Sequence, residues 1–322
     1  MGKGFEPVWD DPVLRVLVSP LAGLYAIGWT AYRLIYDLGL KRAYVPRIPS
    51  VCIGNLRVGG TGKTPMTATV ARMLEEAGRS VVLSVSGYRS PAAEAATEAP
   101  EGPIDPARWG DEASLLRSWL PQVPLVVGRD RVLAAQIAET RHPDRVLVLD
   151  DGYQHLRLAC RVSILLDPPS WNTWCLPAGP YREPRRSGRK RATLALPNEL
   201  YELAREWSLS DPGGGPADVP PEVQVLTAVA RPDALIRAIE GAGSRVVYHI
   251  AERDHDPLDS TEVWDGFQPD IPIVVTGKDW VKLVRNPAVA PASIVVADYT
   301  WSVEPEDHFR AWLLDSLDAS DR

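Results

Sequence analysis

Residues 49–78, PSVCIGNLRVGGTGKTPMTATVARMLEEAG, read as strand, glycine-rich loop and helix in direct succession. The apolar run 49–55 ends near a glycine, as a buried strand does. The run 64–78 has the character of a helix closed by Gly78. Between them lies RVGGTGKTP, which fits the phosphate-loop pattern G-x-x-x-x-G-K-[ST] at every position except the first. Arg57 stands where that glycine belongs, while Gly59, Gly60 and Gly62 follow. Such loops hold anions because backbone N–H groups converge at a helix N-terminus. Glycines let the backbone approach closely, lysine neutralises the terminal phosphates, and the threonine hydroxyl binds Mg²⁺. The expected nucleotide-binding residues are therefore Arg57, Val58, Gly59, Gly60, Thr61, Gly62, Lys63 and Thr64. The competing reading, a glycine-rich turn that happens to carry Lys-Thr, does not account for the flanking strand and helix.

A second signal lies downstream. RVLVLDD (145–151) is an apolar strand ending in Asp150 and Asp151. A strand-end aspartate holds Mg²⁺ in many phosphate-loop proteins. By itself Asp-Asp-Gly is equally a turn. With Lys63 and Thr64 upstream, the expected metal residues are Thr64, Asp150 and Asp151. Neighbouring strand residues point to opposite faces, so one carboxylate faces the metal and the other a nearby loop. His155 follows and is expected near the phosphates, although a lone histidine is more often structural.

Strands and helices alternate around this centre. Strands are expected at 80–87, 124–128 and 162–167, helices at 110–120 and 129–140, and a loop at 91–108. Proline and glycine crowd SLSDPGGGPADVPPE (208–222), which reads as a linker. Strand–helix–strand patterning resumes beyond it. The fold expected is α/β: a doubly wound, mostly parallel phosphate-loop sheet over residues 46–210, then a smaller α/β lobe over 220–322. An N-terminal segment, 1–45, precedes both. Its uncharged run 16–32, VLVSPLAGLYAIGWTAY, is slightly short for a spanning helix. It reads as an interfacial helix, with a buried core helix and a spanning helix as alternatives. The acidic leader does not suit a signal peptide.

The 322 residues carry a net charge of -7, which argues against nucleic acid as a partner. Three widely spaced cysteines form no metal or disulfide pattern and suit a reducing compartment.

VCIGNLRVGGTGKTP, GDEASLL, VVGRDR, LVLDDGYQHLRL and LPAGPYREP occur in this order. Together they resemble the tetraacyldisaccharide 4'-kinase family, over residues 20 to 285. The resemblance implies ATP-dependent, Mg²⁺-dependent phosphorylation of the 4'-hydroxyl of an acylated glucosamine disaccharide 1-phosphate, in lipid A synthesis. It also implies peripheral attachment at the cytoplasmic face of the bacterial inner membrane. The family's loop likewise lacks the first glycine. By the same resemblance Asp111 is the general base, His255 its partner, and Lys63 the phosphate-binding lysine. Arg131, Arg182 and Glu183 fall at positions lining the active site. The sequence departs from the family at Ser86, where an arginine is usual and Arg89 stands nearby, at Ala113 for proline, and at Gly277 for a glutamate.

The basic stretch YREPRRSGRKR (181–191) reads either as a solvated loop or as a contact for lipid head groups or the substrate phosphate. A switch NTPase acting on a protein partner, and an inactive nucleotide-binding module, are the rival functions.

Overall fold

The computed structural model describes residues 8–88, 90–229, 232–286, 288 and 290–319. In chain order the elements are α1 (Pro12–Asp37), β1 (Ser50–Asn55), α2 (Lys63–Glu76), β2 (Val81–Val85), β3 (Thr97–Glu98), α3 (Pro106–Trp109), α4 (Asp111–Trp119), β4 (Leu125–Val127), α5 (Arg131–Arg141), β5 (Val146–Asp150), β6 (Val162–Leu166), α6 (Arg185–Arg191), β7 (Leu194–Leu196), β8 (Glu202–Ser210), β9 (Glu222–Thr227), α7 (Pro232–Gly241), β10 (Arg245–Ala251), β11 (Ile273–Thr276), α8 (Gly277–Leu283), β12 (Ile294–Glu304) and α9 (Glu306–Asp318).

The first sheet has the order β3-β4-β2-β5-β1-β6-β7, parallel except for β3. Its central strands are buried on both faces, hence their unbroken apolar runs. Alternate residues serve opposite layers. Val146 and Val148 of β5 join the core under α2 and α4, while Leu147 and Leu149 pack with Ala134, Ala135 and Ala138 of α5. The order sets the end of β5 beside the end of β1, with Ile53 opposite Asp150. The strand-end carboxylates therefore emerge next to the loop leaving β1.

The second sheet, β10-β9-β11-β12-β8, is parallel apart from β8. Leu235 and Ile239 of α7 cover one face and Leu283 of α8 the other. Here the structure differs from the expected boundary. Residues 202–210, assigned from sequence to the first domain, form β8 and pair antiparallel with β12 over its whole length. The 208–222 stretch is not a free linker: its turn is closed by Asp211, whose Oδ1 accepts from Gly213 N (2.8 Å) and Gly215 N (3.0 Å). The chain then returns. Phe309, Leu313 and Leu317 of α9 are buried in the core of the first sheet.

α1 begins with a strong cap. Asp11 Oδ1 accepts from Val13 N (2.7 Å) and Leu14 N (3.1 Å), and Pro12 occupies the first turn. Its most apolar 18-residue window has mean hydropathy 1.4, and by length and composition the helix could cross a membrane. Among its described residues only Ala22 is buried, which removes the core-helix reading. Tyr25 Oη donates to Arg182 O (2.8 Å) and Trp29 Nε1 to Glu183 Oε2 (3.2 Å), fixing one face of α1 to the first lobe.

Phe309 tests the return of the chain. Phe309→Ala should remove about 3–5 kcal/mol from the first lobe. Thermal unfolding followed with bound nucleotide should show the loss there, although residue 309 lies in the last thirty of the sequence.

Candidate functional site

The loop 59–64 is held open at a helix start. Gly62 caps α2 with φ +83, and a Cβ there would lie 2.6 Å from Trp301 Nε1. That indole donates to Gly62 O (2.8 Å), so a side chain of the second lobe touches the phosphate loop directly. Asn55 Nδ2 donates to Thr61 Oγ1 (2.6 Å). Together the two lobes line a cleft of ≈ 490 Å³ that includes Gly59 to Thr64, Asp150, Asp151, Arg182, His255 and Lys278.

The two strand-end carboxylates sit in different environments, and both line the cleft. Thr64 Oγ1 donates to Asp150 Oδ2 (2.8 Å). Asp150 Oδ1 is buried and has no hydrogen-bond partner among the described residues. Burial first, then the Asp151 charge, push the Asp150 carboxyl up to about 6. Asp151 instead turns toward two cations: Oδ1 lies 3.6 Å from Lys63 Nζ and Oδ2 3.7 Å from Arg182 Nη1. It does so at φ +53, and His255 sits at φ +66. Aspartate and histidine tolerate this left-handed region better than most side chains, but not without cost.

Across the cleft, His255 Nδ1 lies 3.1 Å from Asp111 Oδ2. Asp111 opens α4, behind the Gly110 cap. Burial would raise its carboxyl, but the His255 hydrogen bond and the Lys282 and Lys278 charges outweigh that and hold it below the usual range. Glu112 and His255 line the cleft, and Asp111 joins it through His255. The ammonium of Lys278 is 3.4 Å from His255 Nε2 and also faces Asp254 (3.5 Å) and Glu112 (3.9 Å). His255 Nε2 also lies 3.8 Å from Asp254 Oδ2. Lysine can only donate, so in the neutral ring the Lys278 contact makes Nε2 the acceptor and puts the proton on Nδ1, toward Asp111.

Other expected residues lie elsewhere. Arg131 does not line the cleft. It is 2% exposed, and its Nη2 donates to Ser84 O (3.0 Å) and Asp150 O (2.9 Å), tying the ends of β2 and β5 together. Glu183 is fully buried and accepts from Arg191, Trp29 and Gln154, clamping α1 and α6. Neither it nor His155, exposed on the turn after β5, is among the described residues lining the cleft. Arg57 and Val58 are likewise turned away. Arg57 bridges Tyr181, and Val58 N donates to Pro180 O (2.8 Å). Only Arg182 of the Arg182–Glu183 pair reaches the cleft, where its Nη1 also donates to Gln154 Oε1 (3.1 Å).

The basic stretch is a helix committed inward. Arg185 Nε (2.8 Å) and Arg189 Nη1 (2.7 Å) both bind the buried carboxylate of Asp167, and Arg191 binds Glu183. Arg186 and Lys190 are its exposed cations.

Several lining residues carry no local sequence motif. Asp298, Tyr299, Arg205 and Trp207 come from the second lobe, as does Lys278, which stands next to Gly277 on α8. Arg205 stacks over Tyr299 (4.9 Å) and Trp301 (5.2 Å). At Gly277, where the resemblance leads one to expect glutamate, a Cβ would fall 2.4 Å from Asp298 Oδ1, so the Asp298 carboxylate fills that space. Ser86 lines the cleft, Ala113 is buried in α4, and Arg89 lies outside the described residues.

Comparison with known proteins gives a consistent result. The family described as LpxK, tetraacyldisaccharide-1-P 4'-kinase, matches residues 14–318. The tetraacyldisaccharide 4'-kinase of Alkalilimnicola ehrlichii is 34% identical, covering 89% of this chain and 87% of its own. That of Aromatoleum aromaticum is 32% identical, covering 97% and 95%. The crystal structure of the "apo" form of LpxK from Aquifex aeolicus in complex with ATP has the same fold, with a TM-score of 0.79 at 23% identity over 94% of this chain and 99% of that one.

Two predictions follow from the geometry. The Asp150 carboxyl is raised by folding, so its contribution to stability is present below about pH 4 and is lost as pH rises through about 6, an ionised-state cost of about 3 kcal/mol in the metal-free protein. Asp150→Asn should therefore raise the unfolding temperature of nucleotide-free protein at pH 7.5, with the gain vanishing near pH 4. For His255, ¹⁵N-histidine NMR should show the proton on Nδ1, and Lys278→Met should release that tautomer while Lys278→Arg keeps it.

Proposed function

Because this chain belongs to the tetraacyldisaccharide-1-P 4'-kinase family, we propose that the interlobe cleft joins a nucleotide half to an acceptor half, with Asp111 as the base. The reaction is ATP-dependent phosphorylation of the 4'-hydroxyl of tetraacyldisaccharide 1-phosphate in lipid A biosynthesis. The observation that carries the residue assignment is the chain of contacts Asp111–His255–Lys278, whose His255 and Lys278 line the cleft with the phosphate loop.

The nucleotide half is the loop 59–64. Its backbone N–H groups receive the phosphates and Lys63 neutralises the β- and γ-oxygens. The donor set fits Mg²⁺. A hydroxyl and a carboxylate lie in contact at Thr64 and Asp150, and the unpartnered Oδ1 of Asp150 supports it as the ligand of the pair. Such an ion would neutralise charge on the phosphates. Asp151 holds Lys63 and Arg182 in position until the phosphates engage them, and Arg182 then offers charge to the transferring group.

In the acceptor half, Asp111 stays ionised at neutral pH and accepts the 4'-hydroxyl proton as the oxygen bonds to phosphorus. His255, with its Nδ1 proton directed at Asp111 by Lys278, orients the carboxylate. Catalysis is then mainly positioning and charge stabilisation, as in other phosphoryl transfers. The exposed apolar α1 supports peripheral attachment at the cytoplasmic face of the inner membrane, where the lipid acceptor resides.

Transfer of γ-³²P from Mg²⁺-ATP to tetraacyldisaccharide 1-phosphate in mixed micelles tests this reading. Wild type should label the lipid, and Asp111→Ala should lose about 10²–10⁴ in rate. Lys63→Ala should lose the transfer as well. Free phosphate in place of labelled lipid would return the switch-NTPase reading.

A further inference from the structure

The segment between β6 and α6 carries two tryptophans that the fold leaves in water. Trp171 is 73% and Trp174 53% exposed. They are presented by a fixed scaffold. Asn172, 4% exposed, donates from Nδ2 to Ala178 O (3.1 Å) and accepts at Oδ1 from Trp174 N (3.0 Å), while Ser170 Oγ donates to Asn172 O (2.9 Å). The same segment ends in the active site. Tyr181 N donates to Trp174 O (3.2 Å), and Arg182 N to Leu56 O (2.7 Å) at the foot of the phosphate loop.

The tryptophans are continuous with α1. The Arg15 guanidinium lies 5.0 Å over the Trp171 ring. Arg15, Val16 and Ser19 of α1 line an open depression of ≈ 460 Å³ with Trp171, Asn172 and Trp174. On α1 itself, Ala22, Tyr25 and Trp29 face the protein. By helical spacing Val13, Leu17 and Leu24 lie on the opposite face, and they are 66–68% exposed. The apolar surface thus runs along the outer stripe of α1 and turns at Val16 onto the two indoles.

We propose that Trp171 and Trp174 insert at head-group depth into the same bilayer that receives α1, forming a second anchor that holds Arg182 and the phosphate loop at a set height above the membrane. The proposal rests on the membrane reading of α1 given above. A lipid surface fits this patch better than a protein partner. Indoles beside an arginine, a serine and an asparagine match the half-apolar, half-wet layer where tryptophan concentrates. The adjoining stripe of α1 is purely apolar, as the acyl layer requires. The acceptor of the reaction is itself a lipid, so the enzyme meets its substrate at such a surface.

Flotation of the full-length protein with vesicles of equimolar phosphatidylethanolamine and phosphatidylglycerol tests the anchor. The paired variant W171S/W174S should lower the vesicle partition constant about tenfold or more. W171Y/W174Y should stay within about threefold of wild type, because tyrosine also suits the interface. Both pairs should keep wild-type kcat in detergent micelles. In the wild-type chain, oxidation of Trp171 and Trp174 read by mass spectrometry should drop severalfold on vesicle binding, a readout independent of how any variant folds. If wild type floats while the serine pair floats equally well and oxidation is unchanged, the second anchor is overturned and the α1 reading survives. If wild type does not float at all, both fall. A raised KM for lipid in micelles with unchanged flotation would overturn the bilayer assignment in favour of a subsite for the substrate's acyl chains.

Discussion

The contact between Thr64 and Asp150 is the constraint around which the site is arranged. It exists because β5 lies next to β1 in the sheet, so that the carboxylate of one strand end meets the hydroxyl of the helix that follows the other. A carboxylate buried this deeply is unfavourable when ionised and unpaired. The surrounding structure answers with charge. Lys63 lies nearby, Arg131 ties the strand ends from behind, and Asp151 turns outward at φ +53. The free cleft thus keeps its cations beside carboxylates, an arrangement that an anionic ligand taking up those cations would relieve.

The Asp111 side of the cleft obeys the same logic at longer range. Asp111 begins a helix of the first lobe, whereas His255 and Lys278 belong to the second. Their meeting depends on how β8 and β12 pair and on the indole of Trp301 reaching Gly62 O. The polar row from Asp111 to Lys278 is therefore an interlobe contact as well as a chemical one. The Asp298 carboxylate filling the gap left at Gly277 comes from β12 too, which explains how a residue without a side chain can stand there.

Much of this was legible in the sequence wherever the signal is local. Strand, loop and helix around Lys63, the strand ending in Asp150 and Asp151, and the acidic start of α4 all follow from short-range periodicity and capping. The fold class could be read for the same reason. β8 was missed, although ELAREWSLS alternates, because prolines and glycines at 211–221 drew the boundary there. Tyr299 and Trp207 carry no motif, since a strand that lines a cleft from another lobe looks like any other strand. Arg131 and Glu183 show the converse. A position next to an active site in sequence became a brace behind it, because a buried guanidinium or carboxylate finds backbone carbonyls or ion partners before it finds ligand. The basic stretch 181–191 reads as a solvated loop or a contact for head groups or substrate phosphate, yet Asp167 and Glu183 turn three of its arginines inward.

α9 gives the polypeptide an unusual order of completion. Phe309, Leu313 and Leu317 fill the core of the sheet whose first strand begins at Ser50. Domains generally fold in order as the chain leaves the ribosome, but this first lobe lacks part of its interior until α9, which follows the whole second lobe in the chain, has been made. Until then the nascent chain carries an incomplete core together with the apolar α1, and its second lobe, enclosed between β8 and β12, is finished before the lobe that encloses it.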